Sequence, residues 1–115
     1  MTQYSILQAI ISPRTDERIN IGVLMSDGKQ TSWKASKQKL NILRLWRGEA
    51  AYRMVKRISD VLETNEQLRQ EIMQPAQLSY IGRYANNLVT MTPASNYDAN
   101  LTTSLASTLY HNAID

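Results

Sequence analysis

At Ser36 the spacing of the apolar residues changes period, and that change limits the chain to folds that join a sheet to helices. Before it, runs of β-branched and apolar residues over 3–11, 18–26 and 30–35 are cut by short polar connections, the pattern of strands. After it, Leu40, Leu43 and Trp46 recur at helical spacing, with Ile42 and Leu45 widening the stripe. Ala51, Met54, Val55, Ile58, Val61 and Leu62 then follow an i, i+3, i+4, i+7 rule, which buries one face of a helix.

The strands read in order. In residues 3–11, Tyr4, Ile6, Gln8 and Ile10 share one face and Ser5, Leu7, Ala9 and Ile11 the other. Both faces are largely apolar, as an interior strand requires. Ser12-Pro13 ends the run, since proline gives a ladder no donor. The charged connection Arg14–Arg18 leads into a second strand. Strict alternation there places Ile19, Ile21, Val23 and Met25 on one face and Asn20, Gly22 and Leu24 on the other. Asp27-Gly28 marks a hairpin, and Thr31, Trp33 and Ala35 alternate in a third strand. The three form an antiparallel meander.

The helices have their own start signals. Ser36 caps a helix from Lys37, Gly48 interrupts, and a second helix runs from about Glu49 to Glu63. Asn65 caps a short helix to Gln74, buried through Leu68 and Ile72, and Pro75 opens another in which Tyr80 and Tyr84 stack one turn apart. Leu88–Thr92 is a late strand stopped by Pro93, Ala94–Asn96 a loop, and Asp98–Asn112 a last helix burying Leu101, Leu105 and Leu109. The expectation is an α+β fold of one domain over 1–115: an antiparallel sheet of about four strands, a three-strand meander plus the late strand, with helices packed on one face.

Composition narrows the function classes. A chain of 115 residues buries ~65% of its unfolded surface and needs no staples. Cysteine is absent, which excludes disulfides and thiolate chemistry and fits a cytoplasmic protein. No apolar run approaches the ~20 residues of a membrane span, and the N-terminus lacks the basic region of a signal peptide. Net charge is +3, but residues 29–57 carry nine basic residues and one acid, Glu49. That segment is +8 and the remainder −5, either a polyanion-binding face or two faces that neutralise each other.

Tyr4, Pro13, Glu17, Asn20, Gly22 and Val23 stand in the order of a known pattern: a Tyr-led strand, a proline, a charged turn, then Glu-x-x-Asn-x-Gly-Val. In this the chain resembles the small bacterial proteins of the domain of unknown function 3037 family. The likeness extends more loosely to the late strand, Pro93 and the closing helix. The resemblance implies no established activity. It implies a companion or adaptor role, since some members are encoded beside a kinase-like protein.

Two constellations could carry binding. Arg14, Glu17, Asn20 and Gly22 could line a ligand or partner pocket at the mouth of the second strand. Gly22 would then admit a close backbone approach and Asn20 would bond what enters; alternatively Asn20 satisfies a neighbouring main-chain group and Gly22 makes room for packing. Arg44, Arg47, Arg53, Lys56 and Arg57 could form a phosphate track for nucleic acid. Trp33 and Trp46 lie in that segment, but their positions read as core rather than stacking platforms. The lone histidine, His111, lies four residues from the end, a poor place for precise catalytic geometry, and no Gly-rich phosphate loop, HExxH or EF-hand pattern occurs. No catalytic residue, metal site or cofactor is expected. The leading reading is a non-enzymatic protein-interaction or adaptor domain; the alternative is a nucleic-acid-binding domain using 29–57.

Overall fold

Every strand of the sheet pairs antiparallel with its neighbour, in the order β3-β2-β1-β4, and β5 continues the β4 edge on β1. The computed structural model describes residues 1–12, 14–74, 77 and 88–114. The strands are β1 (Thr2–Ser12), β2 (Glu17–Ser26), β3 (Thr31–Ala35), β4 (Val89–Met91) and β5 (Ser95–Tyr97). The helices among these residues are α1 (Lys37–Arg47), α2 (Glu49–Thr64), α3 (Glu66–Ile72) and α4 (Thr103–Ile114). The fold is α+β, and β1 is an interior strand of the sheet, as expected from its two apolar faces. The tyrosines 80 and 84, and the helix expected to begin at Pro75, lie outside the described residues.

Two cores form, one on each face of the sheet. Leu7, Ala9, Ile21, Leu24 and Trp33 meet Leu40 and Leu43 of α1, Val55, Ile58 and Leu62 of α2, and Ile72 of α3. On the opposite face Val23 and Met25 meet Leu101, Ala106, Leu109 and Ile114, with Tyr4 and Ile6 against them. The expectation of helices on one face is corrected here: α4 covers the other. The reason is composition, because β1 and β2 are apolar on both faces and each face must be buried.

The alternation in β2 is also corrected. Leu7 pairs with Gly22 and Gln8 with Asn20, so Ile21 is an extra residue with no partner on β1. Such a bulge shifts the side-chain parity by one. Ile19 and Ile21 therefore face the α1–α3 core, and beyond the bulge it is Leu24 that continues on that side while Val23 and Met25 turn to α4.

Local signals place the turns and caps. Gly28 has φ +90° in the Asp27–Gln30 loop, where Asp27 Oδ1 accepts from the Lys29 and Gln30 amides at 2.9 and 2.8 Å. Those two bonds favour the ionised carboxylate and hold its pKa below the ordinary range. Ser36 Oγ accepts from Lys39 N at 3.1 Å and Asn65 Oδ1 from Leu68 N at 2.9 Å, satisfying helix-start amides. The last helix begins at Thr103, not Asp98, with Thr102 Oγ1 accepting from Leu105 N at 3.1 Å. Upstream of it, Ser95–Tyr97 pairs with Thr2–Tyr4 as a strand rather than a loop.

Candidate functional site

Asn20 and Gly22 point to opposite sides of the sheet, so the four residues expected to line a pocket do not converge. Asn20 faces α4: its Nδ2 donates to the Ala113 carbonyl at 2.8 Å, and its Oδ1 accepts from Gln8 Nε2 at 2.9 Å. Ala113 lies in the last turn of α4, where carbonyls have no intrahelical donor. Asn20 supplies one. Gly22 faces the other core, where a Cβ would stand 2.6 Å from both the Lys34 carbonyl oxygen and Trp33 Cη2. The indole thus occupies the room that a side chain at 22 would need. Its Nε1 donates to Ser59 Oγ at 3.1 Å, tying β3 to α2. Arg14 and Glu17 are exposed, in or beside the turn where Asp16 takes φ +57° and pairs with Arg18 at 3.1 Å.

Three of the five basic residues expected to form a phosphate track are engaged with carboxylates. Arg44 and Arg53 both reach Glu49, at 3.0 and 3.5 Å, and Lys56 meets Asp60 at 2.9 Å. That bond and charge raise the Lys56 pKa. The Arg44 guanidinium also lies 3.7 Å from the centroid of the Tyr52 ring, a cation–π contact. Arg47 donates to the Ile10 carbonyl at 3.4 Å. Arg57 has no ion pair among the described residues. It lines, with Arg53, Lys56 and Asp60, a shallow surface of about 430 Å³. A groove of about 770 Å³ between α2 and α3 is walled by Met54, Val61, Leu68 and Ile72. Met54 and Val61, expected in the core, stand on its rim.

The residue that sequence reasoning misplaced most is Trp46. It is 68% exposed and its neighbour Leu45 is 84% exposed, while Leu40 and Leu43 are buried. In a helix turning about 100° per residue, Ile42, Leu45 and Trp46 fall in one sector, away from the Leu40–Leu43 seam. Apart from Gln38, one turn before Ile42, this outer face is apolar, and every charged residue of the helix (Lys37, Lys39, Arg44, Arg47) is cationic. The legible signal was the i, i+3, i+4 spacing of Ile42, Leu45 and Trp46, a second stripe beside the first.

His111 is exposed on α4. Among the described residues no three His, Cys, Asp or Glu side chains gather as a metal site, and no helix is long and apolar enough to cross a membrane. No family model matches the chain, and neither a curated protein nor a solved structure matches it.

Proposed function

We propose that the chain is a non-enzymatic protein-interaction domain, an adaptor whose partner seats on the outer face of α1. The observation that carries this is the exposure of Leu45 and Trp46 beside half-buried Ile42. Tryptophan is enriched among interface anchors, where its truncation typically costs about 2 kcal/mol or more. Charge selects the partner. Lys39 borders the patch on the Trp46 side without an ion pair among the described residues, so a second copy would bring like charges together, whereas a partner bearing a carboxylate beside an apolar anchor is complementary. Trp46 is the one π face in the patch, and Leu45 and Ile42 beside it offer none for further bases to stack on, which favours protein over a stacked strand. The companion role beside a kinase-like protein that the family resemblance implies is of this class, and a cytoplasmic location goes with it.

The test is affinity purification from native cells with and without nuclease, comparing the wild type with Trp46→Ala and with Arg53→Ala/Arg57→Ala. A partner retained after nuclease, lost with Trp46→Ala and kept with the arginine pair supports the reading. A partner lost to nuclease and to the arginine pair transfers the assignment to the nucleic-acid reading.

A further inference from the structure

The outer edge of β3 is a second surface, independent of α1, and its main-chain groups define what fits it. Ser36 N donates to the Ile21 carbonyl at 2.8 Å and Asp27 N to the Gln30 carbonyl at 3.1 Å. These bonds frame the β2–β3 ladder, in which hydrogen-bonded and non-bonded pairs alternate. With the register Ser26↔Thr31 to Gly22↔Ala35, Ser32 and Lys34 direct their N–H and C=O groups at β2. Thr31, Trp33 and Ala35 direct theirs outward. Since β3 ends the sheet, these outward groups have no partner among the described residues.

A cleft of about 660 Å³ runs along this edge, with Trp33, Lys34 and Ala35 at its floor. Lys37, Lys56 and Asp60 stand on one wall and Ser107 and Tyr110 on the other. The walls belong to helices on opposite faces of the sheet, so the edge is recessed between them. We propose that β3 accepts an extended peptide as an added strand, carrying an acidic side chain at the end that lies beside Ala35. A second copy of this chain does not fit, because its own β3 sits at the floor of the same walled cleft. Two recessed edges cannot approach to the ~4.8 Å of paired strands. A lone extended segment can.

The acidic end follows from the direction of α2. Trp33 bonds Ser59, and Arg69 joins Thr31 Oγ1 to the Leu62 and Glu63 carbonyls at 2.8, 2.7 and 2.9 Å. The carboxyl end of α2 therefore lies by Thr31, and its earlier turns by Ala35. Lys34 and Lys37 have no ion pair among the described residues, which leaves the Ala35 end cationic. At the other end Arg69 stands beside Thr31 and Glu63, so its charge and that of Glu63 offset each other and an acid gains less there. A short edge strand bearing a lysine is also how sheets keep edges unpaired, and experiment separates the two roles.

Random linear peptides displayed on phage are selected on the full chain, and the tightest is synthesised in two forms, N-methylated on one or the other set of alternating residues. Strand addition predicts that one form loses at least about tenfold in affinity, about 1.4 kcal/mol, while the other binds as the parent. It also predicts slowed amide exchange at Trp33 and Ala35 on binding, and loss of the preference for acidic peptides in Lys34→Glu/Lys37→Glu. The proposal is overturned by a selection that yields no binder, by equal binding of the two methylated forms, or by protection that leaves Trp33 and Ala35 unchanged.

Discussion

The Trp33 indole stands where a side chain at residue 22 would be: a Cβ built on Gly22 lies 2.6 Å from Cη2 of the ring. The same Cβ lies 2.6 Å from the Lys34 carbonyl oxygen, which is main chain and held in the β2–β3 ladder. Neither neighbour gives way easily. Gly22→Ala is therefore expected to destabilise the fold by about 1–3 kcal/mol, the usual cost of overpacking. Urea denaturation of the two proteins measures it directly.

Asn20 ties β2 to the end of α4 through Ala113. Asn20→Leu removes that bond and leaves the Gln8 amide without its acceptor. The expected loss is about 1–3 kcal/mol, with faster hydrogen exchange in the last turn of α4. Partner affinity, measured where the variant is still folded, is expected to be unchanged. A stable variant that no longer binds would restore the pocket reading of Arg14, Glu17, Asn20 and Gly22.

The two tryptophans are expected to behave as opposites. Trp33 is 9% exposed and Trp46 68% exposed. Trp46→Phe should leave one blue-shifted emission protected from acrylamide. Trp46→Ala should change stability by no more than about 0.5 kcal/mol, as surface substitutions do, whereas a buried Trp→Ala costs about 3–5 kcal/mol.

Asp27 gives a pH signature. Its carboxylate accepts two main-chain bonds in the folded state, so its folded pKa lies below its unfolded one. A depressed carboxylate contributes stability above the unfolded pKa, and this contribution is lost as pH falls through the folded pKa. Asp27→Ala should therefore be less stable than the wild type at neutral pH. The gap in urea midpoint should close as the solution is acidified below the ordinary carboxylate range.

How much was legible follows from what each residue senses. Caps and turns are local, so Ser36, Gly48, Asn65 and Asp27-Gly28 announced themselves. The class of fold followed from the change of period at Ser36. The bulge did not, because Ile21, Gly22 and Val23 continue an apolar run in either parity, and only pairing with Leu7 and Gln8 decides it. The glycine was the one hint. Trp46 was misplaced because Leu40, Leu43 and Trp46 are spaced by threes, and each such step turns about 60° short of a full turn. By Trp46 the stripe has left the seam. The placement of α4 on the second face depends on contacts about 90 residues apart in sequence, such as Asn20 with Ala113, which no local pattern reports.

The proposed seat of the partner is the outer face of α1. Hydroxyl-radical footprinting of the protein, free and in the complex recovered from native cells, reads that face directly because tryptophan and leucine are readily oxidised. The predicted result is strong protection of Trp46 and Leu45 in the complex, with Tyr97 as reactive as in the free protein. Trp46 and Leu45 remaining as reactive in the complex as in the free chain would contradict it.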